Sequence, residues 1–386
     1  MKKIAAFLTA TIMFLATVFG IHVLAMRSMN SSNDEFGRWI NTKKDLSYQA
    51  IASNMNEMTY LMMGSSEFHH GKNKNYHPTQ IFRETDMDVM CIGAAKNQCL
   101  SHALTLAAVG PELKTKKVAI LLSPSWFSKD GIDKTSFTAR FSESCYMAML
   151  ENKNLSEELR QKLIDRTGEV LDTKMSVYES IQRCNRVKNK VEMSLKDYLS
   201  SKLHKTVLNE RELVSTGVLW AEHKSKADKI KGNKGEPDWR KLEEEAEESF
   251  LKKADNQFYI KDSLYVSKVM PMMRERKGED VNRSYGESPE YGDLELFLEV
   301  CREMNIEADL ILLPVNGYWY DYTGFPEENR EIIVDKVDTI AKKYGAQFCS
   351  FFGECYTPGF LEDIVHPAGK GWIRINEEVY RFFNEA

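Results

Sequence analysis

A serine, a histidine and a carboxylate stand near opposite ends of this 386-residue chain. Ser66 sits in Gly64-Ser65-Ser66-Glu67, directly after the apolar run Tyr60-Leu61-Met62-Met63. Asp363 and His366 share the stretch Asp363-Ile364-Val365-His366, close to the C-terminus. Acyl transfer through a serine requires these three groups. A serine hydroxyl is a weak nucleophile until a base takes its proton. Histidine suits that role because its pKa lies near neutrality. A carboxylate fixes the imidazole tautomer and steadies the imidazolium that forms. An Asp three residues before the His can do this from one loop. Gly-Ser-Ser and Asp-x-x-His each arise often by chance. The reading therefore rests on their places, one after an early strand and the other in a loop before the last helix. Ser65 is the rival nucleophile within the pair, and a serine here also suits a helix cap.

Two more residues complete the candidate site. Gly93 ends an apolar run, and with no side chain its backbone N–H can approach an oxyanion closely. Asn316, in Pro314-Val315-Asn316-Gly317, offers a side-chain amide to the same oxyanion. An asparagine before glycine is also a common turn former. His69, His70 and His77 follow the serine in a polar stretch. They lack the regular i, i+4 spacing of metal-binding helices and are read as surface residues. No C-x-x-C pair, phosphate-binding loop or dinucleotide fingerprint occurs, so neither metal nor cofactor is expected. Trp319, Tyr320 and Tyr322 suit either a sugar- or polyol-binding surface or an aromatic core.

These residues need elements to hold them. Met58 to Met63, Asp88 to Gly93 and Lys117 to Leu122 read as buried strands. Between the last two, Gln98 to Ala108 carries helical spacing, with Leu100, Ala103, Leu104 and Ala107 on one face. The alternation of buried strand, turn and helix predicts an α/β domain with a central parallel sheet covered on both faces. From about 136 to 263 no strong strand is visible. Charged helical segments at 156–171, 173–199 and 238–254 predict a mainly helical insertion, broken at 231–237. Its Glu-rich piece, Glu243 to Glu248, reads as a solvated face. The α/β pattern returns with a helix at 291–304, a strand at 308–314, a helix at 327–343, a strand at 347–352 and a helix at 372–383. All five strands are expected in one sheet. Ligands bind outside the carboxyl ends of such strands, where Ser66, Gly93, Asn316 and the Asp363–His366 loop all fall.

The net charge of −5 and the lack of a basic tract argue against nucleic acid as a partner. Lys2 and Lys3 precede a run from Ile4 to Met26 with no Asp, Glu, Lys or Arg, ended by Arg27. The run is long enough to cross a bilayer as one helix. Lysines before it and no basic cluster after it place the N-terminus inside and the rest outside. A signal peptide cleaved after Val23-Leu24-Ala25 is the competing reading. The anchor is preferred because the run exceeds the ~7–15 residues of a signal core. The chain thus divides into an anchor at 1–27 and an extracytoplasmic domain at 28–386. Among the seven cysteines, Cys349 and Cys355 are the most plausible disulfide, but the spacings follow no disulfide-rich pattern and free thiols are expected.

The motifs resemble those of the SGNH hydrolases, and more closely those of the DltD family. The matching pieces are the N-terminal anchor, Gly64 to Glu67, Leu122-Ser123-Pro124-Ser125-Trp126-Phe127, Pro314 to Gly324, and Asp363 to Pro367. Pro314 to Gly324 is the most specific. The resemblance implies an SGNH-hydrolase-like three-layer domain and D-alanylation of lipoteichoic acid outside the membrane of a Gram-positive cell. It implies Ser66, His366 and Asp363 as the catalytic residues, with Gly93 and Asn316 at the oxyanion. The partners it implies are lipoteichoic acid, a membrane-bound acyltransferase (DltB) and a D-alanyl carrier protein (DltC). Other readings remain open: an extracytoplasmic esterase or thioesterase, a carbohydrate deacetylase, or a non-catalytic scaffold for the acyltransferase.

Overall fold

The computed structural model describes residues 2–28, 34–72, 74–223 and 235–385. The expected helix break at 231–237 falls partly outside these residues, as does 29–33 of the polar stretch after the anchor. Helix α1 (Lys2–Ser28) contains an apolar segment, Lys2–Arg27, long enough to span a membrane and with none of its most apolar window buried. At 1.5 Å per residue such a helix exceeds the ~30 Å hydrocarbon core. It meets the rest of the chain through contacts such as that of His22 Nδ1 with Glu210 Oε2, 2.9 Å apart.

Five strands form one sheet: β1 (Thr59–Gly64), β2 (Asp88–Gly93), β3 (Lys117–Leu122), β4 (Glu307–Leu312) and β5 (Gln347–Ser350). Their order is β2-β1-β3-β4-β5 and every pairing is parallel. Alternate residues point to opposite faces. Leu61, Met63, Met90, Ile92, Val118, Ile120, Leu310 and Leu312 enter one core, while Met62, Val89, Cys91, Ala119, Leu121 and Ile311 enter the other. Burial on both faces explains why these strands read as continuous apolar runs.

The first core is covered by α2 (Cys99–Val109), then by helices lying between β3 and β4. These include α3 (Glu143–Glu151), α4 (Glu157–Val170), α5 (Ser176–Asn189), α6 (Leu195–His223) and α8 (Glu290–Glu303). No strand occurs among the described residues between β3 and β4. Helix α7 (Trp239–Leu251) lies on the other face. After β4 come α9 (Gly317–Thr323) and α10 (Glu327–Tyr344), and after β5 the last helix, α11 (Gly369–Asn384).

The Glu-rich run is not wholly solvated, contrary to expectation. Glu247 accepts from Lys370 at 3.1 Å, and Glu243 faces Lys370 at 3.5 Å and Arg374 at 3.8 Å. Together with the Trp239–Tyr380 ring contact, these pairs fasten α7 along α11. All seven cysteines are free. Trp319 and Tyr320 are buried, and Trp319 and Tyr322 both pack against Phe258 with ring centroids 5.4 Å away. The aromatic motif is therefore core, and it clamps the end of the helical segment to the sheet.

Candidate active site

Strand order reverses direction between β1 and β3, so the crevice of this sheet opens at their carboxyl ends. Ser66 stands there, at the start of a 3-10 turn (Ser66–His69) that leaves β1 through Gly64. A Cβ on Gly64 would lie 2.2 Å from Glu67 Oε1 and 2.9 Å from the Phe68 ring, so any other residue would have to displace both buried side chains. Glu67 folds back beneath it, buried, and accepts the Ser65 N–H at 2.5 Å. Burial raises the Glu67 carboxyl above its ordinary pKa. The Ser65 hydroxyl is buried and donates to the Ala94 carbonyl at 3.2 Å, whereas Ser66 is part-exposed.

The turn brings Ser66 Oγ to 2.9 Å from His366 Nε2. His366 Nδ1 lies 2.8 Å from Asp363 Oδ2. Asp363 Oδ1 also accepts the Val365 and His366 backbone N–H groups, at 3.0 and 2.9 Å. One carboxylate thus shapes the loop and orients the ring. With Nδ1–H donated to Asp363, Nε2 presents its lone pair to the serine hydroxyl. Burial alone would lower the His366 pKa, but the hydrogen bond and charge of Asp363, then Glu67 and Glu362, raise it overall. Burial is the largest single influence on Asp363 and opposes its ionisation, but the hydrogen bond and charge of His366 and the Val365 and His366 N–H groups together outweigh it, leaving the carboxyl below its usual value. Both shifts favour an ion pair once the imidazole takes a proton. This arrangement can activate a hydroxyl for attack on a carbonyl carbon.

The loop is held from three sides. Glu362 N–H donates to the His366 carbonyl at 2.9 Å, Lys261 N–H to the Glu362 carbonyl at 3.0 Å, and Asn316 N–H to the Ile364 carbonyl at 2.9 Å. Asn316 does more than border the site. Its side chain caps α9 by accepting from Trp319 N–H, and its amide donates to the Phe258 carbonyl, both at 2.9 Å. One of the two amide N–H donors is thus engaged as a brace. Asn316→Ala is expected to cost roughly 2–4 kcal/mol, from the lost cap and an unsatisfied buried carbonyl. Denaturant unfolding checks this; an unchanged midpoint would contradict it.

Gly93 pairs in register with Gly64 at the adjoining strand ends. A Cβ there would lie 2.2 Å from the Gly64 carbonyl oxygen, so glycine is sterically required. Its N–H donates to Asp45 Oδ2 at 3.3 Å. Asp45 is fully buried beside Lys44, and burial lifts its pKa to about 6.

Two of the three histidines after Ser66 are not surface residues. His77 is buried; its ring bonds the Phe68 carbonyl and Thr79, and burial lowers its pKa to about 3. His70 stacks flat on His366, with ring centroids 3.8 Å apart and planes 10° from parallel. Its Nδ1 lies 2.5 Å from Glu362 Oε1. The site therefore holds two stacked histidine–carboxylate pairs, and the sequence reading missed the second. The Glu362 neighbour of Asp363 was the only signal for it. Ligand-type atoms of His70, Asp363 and His366 lie within 4.8 Å of one another. His70 Nδ1 and both ring nitrogens of His366 are engaged by Glu362, Asp363 and Ser66, as described above.

Fold and site define an α/β protein carrying a Ser–His–Asp arrangement at the carboxyl edge of a parallel sheet. Residues 33–384 match the family described as DltD protein. Protein DltD of Bacillus subtilis (strain 168) is 28% identical over 351 residues, covering 85% of this chain and 83% of that protein. Protein DltD of Staphylococcus aureus (strain NCTC 8325 / PS 47) is 28% identical over 329 residues, covering 83% and 80%. Protein DltD of Lacticaseibacillus rhamnosus is 24% identical over 327 residues, covering 83% and 76%. The chain belongs to the DltD family.

Proposed function

We propose that this chain transfers D-alanyl groups onto lipoteichoic acid at the outer face of the membrane, through an acyl-enzyme at Ser66. Family membership supports a role in D-alanyl lipoteichoic acid biosynthesis. The observation that carries the chemical step is the continuous Ser66–His366–Asp363 hydrogen-bonded line. His366 Nε2 takes the Ser66 proton as Oγ attacks the D-alanyl carbonyl carbon. The imidazolium then protonates the departing group of the donor. A glycerol hydroxyl of the polymer next gives its proton to His366 and attacks the acyl-enzyme, and the imidazolium passes that proton to Ser66 Oγ as the acyl–oxygen bond breaks. Backbone N–H groups of the turn at Ser66 steady the oxyanion. Asn316 joins them with the amide N–H left over from its bond to Phe258, and Gly93 joins them by giving up its bond to Asp45. One such donor is worth about 3–4 kcal/mol of barrier.

Helix α1 serves as the anchor in this reading, with the sheet domain outside. DltB and DltC belong to the same proposal, as the membrane acyltransferase and the carrier that bring D-alanine. Complementation tests the function. B. subtilis lacking its own relative is expected to regain base-labile D-alanine on lipoteichoic acid when it carries this chain. No gain, with full-length protein in the membrane and a C-terminal tag accessible from outside, would contradict the proposal.

A further inference from the structure

A cavity of about 330 Å³ opens beside the stacked histidine pairs, between α7 and the start of α11. Pockets that hold small organic ligands begin at about this size. Its wall includes Lys74, Tyr76, Glu245, Lys253, Lys261 and Glu362. Lys74 and Lys253 have no ion-pair partner among the described residues. Glu362 is shared: Oε1 faces His70, and Oε2 lies 3.7 Å from Lys261 Nζ. Two lysines without an ion pair, Lys74 and Lys253, thus share the wall with the Lys261–Glu362 pair and one uncommitted carboxylate, that of Glu245. Gly369 also lines the cavity; a Cβ on it would lie 2.9 Å from Ala246 and 3.0 Å from the Tyr76 ring. Helix α11 begins there, without a side-chain cap, so its amide end adds partial positive charge to the wall.

We infer that this cavity binds a glycerol phosphodiester, holding the phosphate of the acyl acceptor among Lys74, Lys253 and Lys261. The chemistry of the wall selects it. Lysines bind phosphate as point charges, while Tyr76 and Glu245 offer partners for hydroxyls. The position gives it a use. Glu362 belongs both to the cavity wall and to the pair stacked on His366. Glu362 and the His70 ring it holds separate a phosphate seated there from the base that would deprotonate a neighbouring glycerol hydroxyl. Helix α7, from the helical segment, thereby supplies one wall of an acceptor subsite. The inference rests on the acceptor of the proposed function being a glycerol-phosphate polymer.

The test is binding of glycerophosphoglycerol to the full chain carrying Ser66→Ala, in nonionic detergent, followed by calorimetry at two salt concentrations. Because no turnover is needed, binding is read independently of whether Ser66 is the nucleophile. The expected result is binding that weakens with salt, while glycerol alone does not bind. Lys74→Glu and Lys253→Glu, both at exposed positions, are each expected to weaken it by roughly tenfold. Glu245→Gln, which removes a repelling charge, is expected to tighten it. A phosphodiester between glycerols also occurs in a phosphatidylglycerol headgroup, so dihexanoylphosphatidylglycerol is the competitor. Displacement of the soluble diester at equal or lower concentration would overturn the acceptor assignment in favour of a lipid headgroup. Absence of binding, equal binding of glycerol, or indifference to all three substitutions would overturn the inference altogether.

Discussion

Cells in which Ser66→Ala replaces the natural chain are expected to lose D-alanyl ester from lipoteichoic acid, with the protein still present at its normal level. The loss in transfer rate is expected to reach about 10⁴-fold or more, the scale seen when a triad nucleophile is removed. The fold has no reason to suffer. Ser66 is part-exposed and its hydroxyl faces His366 across the crevice. Ser65 is the built-in control. Its hydroxyl is buried against the Ala94 carbonyl, so Ser65→Ala removes a packing bond and leaves the nucleophile in place. D-alanine released by mild base from wild-type and variant cells gives the comparison. Normal protein with unchanged alanylation would remove Ser66 from the chemistry and favour a scaffold for the membrane acyltransferase.

Asp363→Asn is expected to lower the rate about 10⁴-fold with the loop intact, as for a triad aspartate replaced by its amide. The amide oxygen can still accept from Val365 and His366 N–H, as the carboxylate does. Its NH₂ then faces His366 Nδ1 and forces the proton to Nε2, the wrong nitrogen for a base. The pH profile moves as well. Asp363 helps to raise the folded pKa of His366 above its ordinary value, so the acid limb of wild-type kcat/KM is expected above that of a free imidazole. Without that charge, burial dominates and the limb moves to lower pH. The stability signs follow the same shifts. The raised His366 stabilises the fold below its unfolded pKa, and this is lost as pH rises through the folded pKa. The depressed Asp363 stabilises it above its unfolded pKa, and this is lost as pH falls through the folded value. Hydrolysis of a chromogenic ester across pH reads the limb. An unmoved limb, or an unchanged rate, would contradict the role of Asp363.

What was legible in the sequence follows from how locally each feature is determined. Lys117 to Leu122 forms a strand buried on both faces, and that burial demands the unbroken apolar run by which it was recognised. The serine, histidine and aspartate were legible because their chemistry is narrow and their places at the sheet edge follow from the strands. His70 was not. Only the 3-10 turn after β1 sets it down on His366, and its carboxylate comes from Glu362, 292 residues away. Glu247 read as solvated for the same reason: its lysine is 123 residues further on. The bracing role of Asn316, through its bond to the Phe258 carbonyl, was not legible either. The partners that engage it, Phe258 and Ile364, belong to segments that meet it only in the folded chain.

The most direct test is to look for D-alanine on the enzyme itself. Membranes carrying the chain, supplied with D-alanyl carrier protein and quenched in acid, would be digested and searched by mass spectrometry for an alanyl ester. The expected result is an ester on the peptide containing Ser66, released by hydroxylamine and absent when His366 is alanine. Alanylated lipoteichoic acid with no ester on Ser66, or an ester that persists without His366, would contradict an acyl-enzyme formed by this triad.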